Sequence, residues 1–330
     1  MKDGRGKKKA GIGKKILGAL GVLLLAFVAA GFAFVMIYGP YMGIYLKRPS
    51  PKKYGEVALR FMENGYYAGT KEWQEAKGEA LEKLKEAKSY EDTWPVLEAA
   101  LVASGGKHSR LGKATGEEKE VMPEVGTCEG HPEILTLVIP ECTLEGEKAK
   151  AYADLVLSFL SEHLDAKGVI LDLRGNRGGD IAPMMGAVSP LLPDGDFLGI
   201  KMNTGQVRTL TLKEGEVAGG SGMKVDSFKL PEGLPIALLT DEETGSSGEA
   251  LLLAFRGLPA TRSFGAPTAG YASANTSFPL YDGARVVLTV GADVAMRTGE
   301  EFCEDPIAPD VFSENPKEDA LEWILESVEG

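Results

Sequence analysis

Two adjacent serines stand in the stretch Thr244-Gly245-Ser246-Ser247-Gly248-Glu249, between an apolar run (Pro235–Thr240) and a helical run (Gly248–Phe255). A serine at a helix N-terminus has unpaired backbone N–H groups and the positive end of the helix dipole beside it. A nucleophilic hydroxyl and a developing oxyanion need those surroundings. The same residue type also caps helices without doing chemistry, so a base has to be found. The stretch is not a GxSxG elbow, because Glu249 stands where the second glycine would be. A nearby lysine base is excluded, since the chain has no lysine between Lys229 and Lys317. Three histidines remain. His131 precedes a proline at a strand entrance, and His163 falls late on an amphipathic helix where the dipole accounts for it. His108, in Gly105-Gly106-Lys107-His108-Ser109, follows a helical run in a loop whose paired glycines allow another segment close approach. It is the candidate base.

A second loop, Asp172-Leu173-Arg174-Gly175-Asn176-Arg177-Gly178-Gly179-Asp180, follows the buried-looking strand Gly168–Leu173. It matches neither GxGxxG nor a P-loop, so dinucleotide and phosphate binding find no support. Gly178 and Gly179 would let bare backbone N–H groups face a substrate. No CxxC, HExxH or Cys/His cluster is present, so no metal and no cofactor are expected. Cys128 and Cys142 flank the strand Ile134–Pro140, which would hold them too far apart to bridge.

The elements around these loops read as follows. Residues 54–103 are helical, with Trp73, Ala76, Ala80, Leu84 and Ala87 on one apolar face and Thr70 placed to cap. A second helix there starts near Thr93, admits Pro95 in its first turn, and stops at Gly105-Gly106. After Pro132 the texture alternates. Helices are expected at 148–164, 181–192, 248–255 and 320–328, and strands at 134–140, 168–173, 198–202, 207–212, 235–240, 277–280 and 285–290. That alternation specifies an α/β core.

The charge distribution places the chain. Residues 1–15 carry seven basic side chains and one acid, so of the net −12 the other 315 residues hold −18. Nucleic acid is an unsuitable partner for so acidic a body. Between lie 23 residues, Ile16–Tyr38, without a charge, Asn or Gln, enough to span a bilayer. The alternative is a signal peptide cleaved near Ala29-Ala30-Gly31. The positive-inside rule puts residues 1–15 in the cytoplasm and the rest outside, on a single-pass membrane anchor. The expected organisation is therefore a basic leader (1–15), a transmembrane helix (16–38), a helical domain ending in the His108 loop (39–115) and an α/β core (116–330).

Taken together, GVILDLRGNRGGD (168–180), TGSSGE (244–249), FGAPTAG (264–270) and PIAPD (306–310) resemble the tail-specific, or C-terminal processing, serine peptidase family. Within it, GGKHS (105–109), SPLLPDG (189–195) and the N-terminal anchor look like the nisin resistance branch. The resemblance implies a crotonase-like α/β core with a helical N-terminal domain and no PDZ domain. It implies a serine nucleophile two positions before the motif's glutamate, at Ser247, with His108 as base in a dyad. Gly248 and either Gly178 or Gly179 would supply the oxyanion hole. Ser109 and Asp305 are the two groups offered for orienting His108. The branch further implies cleavage of a cationic lanthipeptide near its C-terminus, and so resistance. The competing expectations are a general extracytoplasmic tail-specific peptidase and a non-catalytic peptide-binding module of the same fold.

Overall fold

Continuous apolar runs such as Gly168–Asp172 and Ile236–Thr240 are buried on every residue, as strands covered on both faces must be. The computed structural model describes residues 5–113 and 120–329, and of 5–17 the backbone alone. Its helices are α1 (Arg5–Tyr38), α2 (Pro51–Met62), α3 (Lys71–Lys83), α4 (Trp94–Gly105), α5 (Gly146–Ser161), α6 (Ile181–Val188), α7 (Ser247–Phe255) and α8 (Pro316–Glu329). Its strands begin with β1 (Arg110–Lys113), β2 (Glu124–Cys128), β3 (His131–Val138), β4 (Gly168–Asp172), β5 (Gly195–Met202), β6 (Val207–Lys213) and β7 (Glu216–Ala218). They continue with β8 (Met223–Lys224), β9 (Ile236–Thr240), β10 (Thr261–Gly265), β11 (Ser273–Pro279), β12 (Ala284–Ala295), β13 (Glu301–Phe302) and β14 (Val311–Phe312). Residues 1–4 of the basic leader and the expected domain boundary at 115/116 lie outside the described residues.

The strands form two sheets. One has the order β14-β10-β9-β4-β3-β2 and is parallel except for the hairpin β2–β3. The other runs β1-β12-β5-β6-β7-β8, with β11 and β13 also on β12, and is antiparallel throughout. Val169, Leu171 and Leu238 of the parallel sheet share a core with α5, α6 and α7, and with Phe197, Leu198 and Leu212 of the antiparallel sheet. The opposite face, through Ile170, Ala237 and Leu239, packs on Ala320 and Ile324 of α8. Helices α2–α4 pack on the far face of β12, against Val286, Leu288 and Val290. The fold is thus mixed α/β with a helical N-terminal layer.

Local chemistry accounts for most boundaries. Thr70 accepts the Trp73 N–H at 3.2 Å and starts α3. Trp73, Ala80 and Leu84 are buried, while Ala76 and Ala87 are half-buried. The helix expected over 181–192 ends at Val188 and continues as a single 3₁₀ turn, Ser189–Leu191, because Pro190 cannot donate. Strands β1, β2, β7, β8, β10, β13 and β14 have no counterpart in the sequence reading. They are two to five residues long, and all but β10 alternate weakly or lie exposed. All three cysteines are free. The apolar N-terminal stretch Gly18–Met42 has 25 residues and a mean hydropathy of 2.7, long and apolar enough to cross a membrane.

Candidate active site

Because β4 and β9 are neighbouring parallel strands, the loops at their carboxyl ends leave side by side, where open α/β sheets bind ligands. Asn176, fully buried, ties them together. Its backbone carbonyl accepts the Gly245 N–H at 2.8 Å, and its side-chain amide donates to the Ile139 carbonyl at 2.9 Å. The Asp241 carboxylate reaches back to the Gly175 N–H at 3.0 Å. Glycine is obligatory at two contacts between the loops. A Cβ on Gly178, at φ +105°, would lie 2.6 Å from the Ser246 Cβ, and one on Gly248 would lie 2.7 Å from the Asn176 carbonyl oxygen.

At the end of the second loop Ser246 has φ +53° and ψ −121°. A non-glycine residue takes such a conformation only at a cost of about 1–3 kcal/mol, which its surroundings must offset. They do so through Glu249, whose carboxylate accepts the Ser246 N–H at 2.9 Å. The same carboxylate accepts from the Thr268 hydroxyl, from the Gly270 N–H at 2.9 Å and from the Tyr271 N–H at 2.7 Å. Burial pushes the Glu249 carboxyl up from its ordinary pKa, and these four donors oppose the shift. Glu249 therefore anchors the serine turn and the 268–271 loop on one buried group.

The two serines differ. Ser247, the expected nucleophile, is the first residue of α7, and its hydroxyl donates to the Gly179 carbonyl at 2.7 Å. Ser246 occupies the strained turn itself. Two of the expected oxyanion donors are committed elsewhere: the Gly248 N–H bonds the Gly245 carbonyl at 2.9 Å, and the Gly178 N–H bonds the Asn176 Oδ1 at 2.8 Å. The N–H groups of Gly179 and Ser247 make no hydrogen bond to any described residue. The Ser247 N–H lies against Gly178, beside the Ser246 hydroxyl. A strained serine followed by an unpaired N–H at a helix start is the geometry of a nucleophile elbow, here without the second glycine.

His108 arrives from the other side, between α4 and β1. Its loop is held by the Glu304 carboxylate, which accepts the Lys107 N–H at 2.5 Å and the Tyr67 hydroxyl at 3.2 Å. The His108 ring tilts against Tyr271 at 5.1 Å, the residue whose N–H is bound by Glu249. Its Nδ1 is 2.8 Å from the Ser273 hydroxyl on β11. Neither expected orienting group does this. Ser109 is turned into the sheet, where its hydroxyl pairs with Thr289, and Asp305 lies exposed without a contact to the ring. Ser273 was missed because it lies 165 residues away and only strand pairing brings it near. Burial, then the cations of Arg110 and Lys107, lower the His108 pKa from 6.5 to about 4. The ring is neutral over the whole physiological range.

Ser246, Ser247, His108, Ser273 and Gly179 line one cleft of about 480 Å³, within the range of substrate pockets. No hydrogen bond joins His108 to either serine, a looseness common before substrate tightens a site. A continuation of the cleft toward Gly245 and Tyr271 includes His108 and Ser246 but not Ser247. Its charged lining is mixed: Lys107, Arg110 and Arg177 against Glu141, Asp180, Glu242, Glu243 and Asp293. The other two histidines are elsewhere, His163 on the Phe159 carbonyl at 2.8 Å and His131 beside Glu133. PIAPD is structural: Asp310 accepts the Ser263 N–H and hydroxyl, both at 2.8 Å, and so joins β10 to the segment leading into β14. Among the described residues no His/Cys/Asp/Glu group could hold a metal ion.

Fold and cleft together define a peptidase scaffold, and the chain belongs to peptidase family S41, whose model matches residues 134–313. It is 40% identical to the nisin-resistance protein of Lactococcus lactis subsp. lactis, over 96% of this chain and 99% of that one. A solved lipoprotein from Streptococcus agalactiae is similar at 32% identity and a TM-score of 0.76, over 86% of this chain and 99% of that one. The photosystem II D1 C-terminal processing protease shares the fold at a TM-score of 0.53 and 14% identity, over 82% and 94% of the two chains.

Proposed function

We propose that the chain is a membrane-anchored, extracytoplasmic serine peptidase that cleaves a lanthipeptide of the nisin type near its C-terminus and so confers resistance. The observation that carries the catalytic reading is the strained Ser246 turn sharing a cleft with a half-buried, neutral His108. In this reading Ser246, rather than Ser247, is the nucleophile. Its Oγ attacks the scissile carbonyl while His108 Nε2 takes the hydroxyl proton. The tautomer that accepts at Nε2 carries its proton on Nδ1, donated to the Ser273 hydroxyl. The Ser247 and Gly179 N–H groups meet the oxyanion. His108 then returns the proton to the leaving amine, and water repeats the sequence on the acyl-serine. Ser247 is the alternative nucleophile, supported by its place in the family motif.

The substrate assignment draws on the 40% identity to a nisin-resistance protein along nearly the whole chain. The 25-residue apolar stretch behind a basic leader supports a single-pass anchor with the leader inside and the cleft outside. The −18 balance favours a cationic peptide at long range, although the cleft itself is of mixed charge. The test is incubation of residues 39–330 with nisin and with an unmodified peptide of the same charge, reading fragment masses. Cleavage of nisin alone supports the resistance reading; equal cleavage of both points to a general tail-specific peptidase; cleavage of neither, with binding retained, points to a binding module.

A further inference from the structure

The cleft holds an ionisable residue that the proposed mechanism does not use. Asp293 on β12 is 3% exposed, lines the cleft, and its carboxyl makes no hydrogen bond or ion pair to any described residue. Opposite it in register is Ile200 of β5. Ile200, Leu198, Leu210, Ile181 and Ala250 supply an apolar part of the same lining. Burial and the neighbouring Glu249 both push the Asp293 carboxyl far above the usual carboxylate range. Buried polar groups are almost always partnered in native proteins. Among the described residues no fully covered side-chain oxygen lacks a partner, so the unbonded Asp293 carboxyl is open to the cleft, and what the cleft receives can partner it.

We propose that this part of the lining is a side-chain subsite next to the scissile bond that takes a residue with an alkyl stem and a cationic tip, lysine or arginine, paired with Asp293. The proposal rests on the peptidase reading. The apolar residues suit a methylene stem, and the carboxyl suits the charge at its end. A purely apolar side chain would fill the same space but leave the carboxyl covered and unpaired, which is where discrimination arises. The cations nearest the cleft mouth do not satisfy Asp293: Arg177 is paired with Glu243, and Arg110 lies exposed. Glu249 is already saturated by its four donors, so it does not compete for the tip.

The experiment uses two peptides identical except for one residue, lysine or norleucine, scanned over three positions on each side of the bond. Cleavage rates are measured for the wild type and Asp293→Asn, and binding of the same peptides to the Ser246→Ala chain. The expected result is a lysine preference at one position on the order of 10²-fold in kcat/KM, collapsing in Asp293→Asn. Equal treatment of lysine and norleucine at every position in the wild type overturns the proposal, whether or not the variant folds. A preference that survives Asp293→Asn overturns it too. Lysine-selective binding without any cleavage supports the subsite and counts against the peptidase reading instead.

Discussion

The two halves of the candidate active-site cleft are built differently. Ser246 ends the loop that leaves a parallel, fully buried strand, and its turn is fixed by Asn176 and Glu249, both 0% exposed. His108 stands at the edge of the antiparallel sheet, in a loop held by half-buried or exposed polar contacts: Glu304 on the Lys107 N–H, Ser273 on Nδ1, and Lys107 over the Tyr271 ring at 4.7 Å. Strain at the proposed nucleophile is thus offset by the core, whereas the proposed base is delivered by a loop. The first half resists change and fails as a unit; the second is adjustable and fails by degrees. Glu249 links them, since it binds the Ser246 N–H and the Tyr271 N–H together.

The largest effect expected from this contrast is at the rigid half. Ser246→Ala should lower kcat by on the order of 10⁶ with the fold retained, because Glu249 still holds the backbone N–H of the turn. Ser247→Ala should cost about tenfold, since it loses only the tie to the Gly179 carbonyl. The reverse ranking in a peptide cleavage assay would assign the nucleophile to Ser247.

Next comes the clamp between the loops. Asn176→Ala removes the acceptor of the Gly178 N–H and the donor to the Ile139 carbonyl, both buried, and should destabilise the chain by about 3 kcal/mol. Urea unfolding would show this as a lower midpoint at unchanged slope. A midpoint like the wild type's would mean that the loops are not held by Asn176.

At the adjustable half the effects are smaller and graded. Ser273→Ala should lower kcat about tenfold by freeing the ring's tautomer, and Ser273→Thr should restore most of it. Ser273 is a positioning residue, so the rescue by threonine is the decisive reading. A loss that threonine does not restore would mean that Ser273 matters only for packing.

The smallest effect is in the pH profile. His108 works only when neutral, and its pKa is held down to about 4 by burial, Arg110 and Lys107. kcat/KM should therefore be level above roughly pH 5 and fall as the pH drops through about 4. Arg110→Gln removes the second of these causes and should move the inflection upward by less than about one unit. An inflection already at 6–7 in the wild type would mean that the ring is solvated and the loop open.

Much of this was legible in the residues, and unevenly so. The parallel sheet was readable because its strands are continuous apolar runs, and both functional loops were placed at their carboxyl ends from Gly168–Leu173 and Pro235–Thr240 alone. The Gly105-Gly106 loop sets His108 apart from the other histidines, and its expected role as base comes from the family resemblance. The serine turn was located, but the proposal of Ser246 over Ser247 rests on a backbone angle, and φ at a non-glycine residue has no signature in residue type. Ser273 and Asp293 were missed because each reaches the cleft through β11–β12 pairing, at a distance in sequence that no spacing rule covers. Net charge showed the same limit. The −18 balance says nothing about where the acids lie, and the cleft carries both signs.

The central claim is that Ser246 is the nucleophile and His108 its base, and trapping the acyl-enzyme tests it most directly. The chain would be mixed with an activated p-nitrophenyl ester, quenched in acid within the first turnover, digested, and the added acyl mass located by fragmentation. The account predicts the acyl group on Ser246, and none in His108→Ala. An acyl group on Ser247, or on Ser246 at an undiminished rate without His108, would contradict it.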